Sequence, residues 1–175
     1  MLRTRQLTVL IVSLLSAPAW AATYRLDPDK TFPQFELDHL WLLTERGRFG
    51  RVQGSLEYNV ARRSGSLEVV IDARSLDTGN DERDIALKGP SWFNVSRYPT
   101  ISFRSQHFLF EQDRLTAIEG ELTMRGMTRP MRLEIVRIQC GSSPVSNKRD
   151  CAADARGTLQ RSRFGMRTGL PFVGD

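Results

Sequence analysis

Cysteine, histidine and lysine are nearly missing from this 175-residue chain, which has two cysteines, two histidines and only Lys30, Lys88 and Lys148 as lysines. The histidines, His39 and His107, stand too far apart for a metal-ligand spacing, and Cys140 and Cys151 lack the C-x-x-C spacing of a zinc or redox motif. His39 has Asp38 and Asp84 as conceivable partners, yet no nucleophile elbow or Ser-His-Asp arrangement surrounds either histidine. Enzymatic activity is therefore not expected, and neither a metal nor a cofactor is implied. Long apolar runs are also missing. Beyond the N-terminal leader nothing approaches the ~18 consecutive apolar residues that cross a bilayer. Internal repeats and low-complexity linkers do not occur. Acidic and basic residues nearly balance, at 20 and 25 for a formal net charge of +5. The arginines are scattered along the chain, which argues against a nucleic-acid partner.

What is present begins with a leader. Arg3 and Arg5 precede an apolar run over 7–15, and Ala19-Trp20-Ala21 supplies small residues for cleavage. Residues 1–21 thus read as a secretory signal peptide, leaving 22–175 as one domain exported to the periplasm. In that oxidising compartment Cys140 and Cys151, flanking a turn-rich segment, read as a disulfide. A redox-active pair is the weaker alternative.

Most of the mature chain alternates with period two, the signature of strands with one apolar face. Phe35, Leu37 and His39 share a face, as do Leu67, Val69 and Ile71, then Ile101 and Phe103, then Ile118, Leu122 and Met124, then Met131, Leu133 and Ile135. Turn signals separate them at Asp27-Pro28-Asp29, Arg63-Ser64-Gly65, Glu111-Gln112-Asp113 and Gly126-Met127-Thr128-Arg129-Pro130. The pattern predicts an all-β antiparallel barrel or sandwich. Two segments break it. Residues 39–45 read as an apolar bend. Residues 77–91 read as a short helix near 78–88, capped by Asp77 or Thr78, acidic at Asp81 and Glu82, and stopped by Lys88-Gly89-Pro90. Ile85, Ala86 and Leu87 are expected to face the barrel.

Seven segments, in order, carry a family resemblance. They are Phe35-Glu36-Leu37-Asp38-His39-Leu40, Gly47-Arg48-Phe49, Ser75-Leu76-Asp77-Thr78-Gly79-Asn80 with Arg83-Asp84, Trp92-Phe93, Tyr98-Pro99-Thr100-Ile101-Ser102-Phe103, the stretch from Gly120-Glu121-Leu122 to Arg129-Pro130, and Arg163-Phe164-Gly165-Met166. Over about 24–173 they resemble the YceI-like family of lipid- and polyisoprenoid-binding proteins. The resemblance implies an eight-stranded lipocalin-like barrel around a polyisoprenoid, quinone-like or fatty-chain amphiphile, with transient membrane contact. It also implies a closing strand after a Val-Gly-Asp turn, and the sequence ends at Asp175, where that strand should begin. The expectation is a barrel lacking its last strand, or one completed by a partner as in a homodimer, because open edges invite pairing.

Apolar inward faces alone describe any packed barrel. Given the resemblance, Phe35, Leu37, Phe49, Val69, Ile71, Ile85, Phe93, Ile101, Phe103, Leu122, Leu133 and Ile135 are candidate liners of a hollow interior. Gly120 and Ala73 read as small residues that leave room there. A long tail suits such a space, since each buried methylene contributes ~0.8 kcal/mol. His39, Asn80, Arg83 and Asp84 are head-group candidates at the ends of the alternation, the alternative being that Asn80, Arg83 and Asp84 only cap and brace the helix. The rival function is an interaction module with a solid core and a partner strand on an open edge.

Overall fold

Period-two alternation becomes antiparallel strands throughout the computed structural model, which describes residues 22–39, 43–59, 61–142 and 149–175. The leader, the centre of the expected bend at 40–42 and the loop between the cysteines lie outside the described residues. In chain order the strands are β1 (Ala22–Arg25), β2 (Gln34–His39), β3 (Leu43–Phe49), β4 (Val52–Asn59), β5 (Ser64–Asp72) and β6 (Leu76–Asp77). A single described helix, α1 (Asp81–Lys88), precedes β7 (Thr100–Glu111), β8 (Arg114–Met124), β9 (Met127–Ser142) and β10 (Arg149–Arg156). Seven strands form one sheet in the order β1-β4-β5-β7-β8-β9-β10, and β2-β3-β6 form a smaller one. The barrel-like, all-β fold with one helix is the one expected. Its strands are divided seven and three instead of forming a single eight-stranded sheet.

Local chemistry explains the departures. The β8–β9 turn is confined to Arg125 and Gly126, both at positive φ (53° and 71°), between the paired Met124 and Met127. Two left-handed residues match the twist of a two-residue hairpin. The expected turn through Pro130 is instead strand. Proline is tolerated there because β10 covers β9 only from Glu134 onward, so the absent N–H faces no neighbouring strand. The expected bend is shorter than the sequence suggests, since β2 continues to His39 and β3 already pairs with it at Leu43.

Inward residues pack as one cluster. Val69 lies opposite Phe103, Ile71 opposite Ile101 and Phe103 opposite Leu122. Around them close Phe49, Ala73, Leu76, Leu87, Phe164 and Met166, all buried. Ala73 does not border a void, because it is 1% exposed inside this cluster.

Cys140 and Cys151 are bonded and sit directly opposite each other in the β9–β10 ladder. Closing a loop of this length restricts the unfolded chain by about 2.5–3 kcal/mol. The double variant Cys140→Ser/Cys151→Ser is expected to lose about that much in denaturant unfolding. An unchanged midpoint would remove the staple.

Asp72, at the end of β5, binds the reversal that follows. Its carboxylate accepts the Arg74 amide at 3.0 Å and guanidinium at 2.9 Å, and pairs with Arg51 at 2.9 Å. Hydrogen bonding from Arg74, helped by the Arg51 charge, holds the carboxyl below its ordinary 3.8. The unfolded chain therefore takes up the proton more readily. The stabilisation is complete above about pH 3.8 and disappears as pH falls through the folded value. Asp72→Asn is expected to lower stability at neutral pH while flattening the acid limb of the stability–pH profile. Parallel acid limbs for the two proteins would refute this assignment.

Candidate functional site

Asn80 sets the register of α1. Its Oδ1 accepts the Arg83 amide at 2.9 Å, so the cap falls at Asn80 and not at the expected Asp77 or Thr78. Asp84 accepts the Thr78 amide at 2.8 Å and hydroxyl at 2.7 Å, tying the first turn to the preceding loop. It also faces Lys88 at 3.6 Å. From this start, the helical period turns Arg83 and Leu87 toward the sheet and Ile85 away. Leu87 is buried, whereas Ile85 is 74% exposed and Ala86 lies at the rim. The expectation that Ile85 lines the interior is therefore corrected. It is two residues from Leu87, about 200° around the helix axis.

Facing α1 is the inner side of β2–β3. Directly opposed residues of an antiparallel pair share a face, which places Phe35 beside Gly47, Leu37 beside Glu45 and His39 beside Leu43. Gly47 is required, because a Cβ there would lie 2.4 Å from the Phe35 ring. That ring packs with Phe49 at 5.8 Å and with Phe93 at 5.6 Å between centroids, and Phe49 and Phe93 meet edge-on at 5.6 Å. Above this aromatic layer opens a cleft of about 210 Å³, walled by Leu37, Ala86, Leu87, Trp92 and Val173. His39, Arg46, Thr78 and the ion-paired Arg83 and Glu45 are its polar members.

Arg161 holds two of these walls. It is 4% exposed, lies 4.8 Å over the Trp92 ring, and donates to the carbonyls of Met166 (2.8 Å), Val173 (2.9 Å) and Gly174. Burial pushes its pKa down, while the Asp175 charge opposes the shift. Val173, so anchored, forms a β-bridge with His39, and the Gly174 amide reaches the Asp38 carbonyl at 2.7 Å.

Of the sequence candidates, Phe49, Ile101, Phe103 and Leu122 are buried core, and Phe35, Val69, Ile71, Phe93, Leu133 and Ile135 pack against them. Leu37 stands in the cleft wall. His39 and Arg83 reach the cleft, whereas Asn80 and Asp84 cap and brace α1. Glu45, Thr78, Val173 and Arg161 were not anticipated. Glu45 fell in the supposed bend, and Arg161 carries no local signature among so many arginines. The other histidine, His107, is on the outside, with Nδ1 3.0 Å from Glu119.

A family model described as a YceI-like domain matches residues 24–175. The UPF0312 protein ECA1782 of Pectobacterium atrosepticum is 31% identical over 175 residues, covering 97% of this chain and 90% of that protein. Among solved structures, Burkholderia cenocepacia BcnA superposes with a TM-score of 0.68 at 21% identity, covering 85% of this chain and 92% of its own. A polyisoprenoid binding domain from Saccharophagus degradans, implicated in plant cell wall breakdown, superposes with a TM-score of 0.58 at 18% identity, covering 86% and 84%.

Proposed function

The chain belongs to the YceI-like family, and on that premise we propose that it is an exported binding protein for a long-chain amphiphile and not an enzyme. The guest is of polyisoprenoid, quinone-like or fatty-chain type, carried or shielded in the periplasm. The cleft between α1 and β2–β3 carries this reading. It has apolar walls, an aromatic floor continuous with the core and, among the described residues, polar groups only at His39, Thr78, Glu45, Arg46 and Arg83. A tail enters along Leu37 and Leu87, and its head group meets Arg83 and His39. The likeness to a polyisoprenoid binding domain supports the guest class. The leader at 1–21 and the Cys140–Cys151 bond support export.

At about 210 Å³ the cleft is smaller than the roughly 300–1,000 Å³ of pockets that enclose drug-sized ligands. A long chain is accommodated only if α1 and the Phe35–Phe93 layer give way. Binding then opens the Arg83–Glu45 pair and moves the aromatic rings. Protein purified from its native envelope and examined by native mass spectrometry with lipid extraction is expected to carry a long-chain lipid. Empty protein that also ignores polyprenyl and quinone-like probes would overturn the proposal. The continuous packed cluster favours the rival reading of a solid interaction module. That reading predicts the empty result, together with partner binding at the β1 or β10 edge.

A further inference from the structure

Arginines scattered along the chain are gathered by the fold. Three segments without a single acid, residues 88–103, 122–132 and 156–174, converge on one side of the molecule. Arg125 donates to the Trp92 carbonyl, the Tyr98 ring lies against Gly126, Met127 touches Gly165, and the Thr168 hydroxyl reaches the Ser91 carbonyl at 3.5 Å. This side carries Arg97, Arg163 and Arg167, all exposed, together with the half-buried Arg129 and Arg125, the latter with its Nε buried. Among the described residues none of the five has a carboxylate at ion-pair distance, whereas Arg48, Arg83, Arg104 and Arg137 each do. Two acids border the region. Glu121 stands opposite Pro130, and the Asp175 carboxylate is held by the Ser162 amide and hydroxyl, both at 2.6 Å, with the charges of Arg161 and Arg167 acting on it from farther away.

Between Arg129 and Arg163 lies a cleft of about 140 Å³ with Leu122, Met131, Leu159 and Phe164 in its lining. Phe172, 61% exposed, follows Arg167 on the same segment. Cations around an apolar floor complement a partner that is anionic outside and oily just beneath. A nucleic acid would satisfy the arginines and leave the floor unused.

We propose that this side of the molecule docks on an anionic phospholipid bilayer, its guanidinium groups on phosphates and its cleft at the level of the first methylenes. Such docking does not rest on an occupied interior, because a lipid-free protein presents the same surface. Each arginine near an anionic surface strengthens binding about fivefold, and salt weakens it. The purified protein is expected to sediment with vesicles of mixed phosphatidylcholine and phosphatidylglycerol, and not with pure phosphatidylcholine. Arg129→Gln/Arg163→Gln is expected to bind roughly 25-fold more weakly. Arg104→Gln, which loses an ion pair with Glu68 elsewhere on the sheet, is expected to bind like the parent, with folding of both variants checked by circular dichroism. Equal sedimentation with neutral vesicles, no sedimentation with anionic ones, or undiminished binding by the double variant would each overturn the proposal. Capture by DNA or an acidic peptide in place of vesicles would do so as well. Loss of the carrier reading shows separately, as absence of extractable lipid.

Discussion

Arg161→Met is expected to destabilise the protein by about 3–5 kcal/mol. Methionine refills most of the volume, so the loss is chiefly polar. Three carbonyls, on Met166, Val173 and Gly174, lose a charged donor, and each such bond contributes about 1.5–3 kcal/mol. The Trp92 ring also loses its cation, a further ~2 kcal/mol in a desolvated setting. Val173 and Gly174 are half-buried and can rehydrate, which keeps the sum below simple addition. Arg161→Lys is expected to recover little, since one ammonium cannot span three carbonyls or stack on an indole. Denaturant unfolding measures the total. Hydrogen exchange at the Val173 and Gly174 amides, bonded to Gly169 and Asp38, localises it. A midpoint within error of the parent would show that Arg161 is dispensable.

Because Arg161 fastens both Trp92 and Val173, the same variant loosens the proposed cleft from one side. This dependence was invisible in the sequence. What could be read there was local. Ile101 and Phe103 alternate with polar neighbours, and burial in β7 repeats that alternation, whereas Val70 interrupts it between Val69 and Ile71 and β5 is half-buried on both faces there. The helix was legible because Asp81, Glu82 and Gly89 are terminal signals that act within a turn. Its phase was not, since Asp77 and Thr78 both read as caps, and the cap at Asn80 goes with an outward-facing Ile85. Pairings between distant segments left no trace at all. Glu45 meets Arg83, and the acid-free segments meet one another, only because the sheets bring them together. A buried arginine and an exposed one look alike in a list of residues. Their difference is made by what surrounds them after folding.

Gly120→Ala is expected to cost about 2–3 kcal/mol, at the upper end of overpacking effects, and its sign separates a solid interior from a hollow one. In a strand around an empty lumen, alanine for glycine would be neutral or stabilising, since it removes freedom from the unfolded chain. Here the added Cβ would lie 2.3 Å from the Arg104 carbonyl oxygen, 2.7 Å from the Phe103 ring and 2.8 Å from the Ser105 Cβ. Two of these three neighbours resist displacement. The β7–β8 register shifts between Arg104 and His107. The irregularity is pinned by Ser105, whose hydroxyl donates to the Glu119 carbonyl at 2.5 Å and accepts the His107 amide at 3.0 Å. The Arg104 carbonyl cannot retreat without disturbing that register. Phe103 is held on its other side by Val69, its partner across the β5–β7 pair. Thermal unfolding of the alanine variant, read beside Gly141→Ala at a position with no atom within reach, isolates the packing effect. If Gly120→Ala matched or exceeded the parent's stability, the space inside β8 would be open, and the tail of a guest could lie there without moving the Phe35–Phe93 layer.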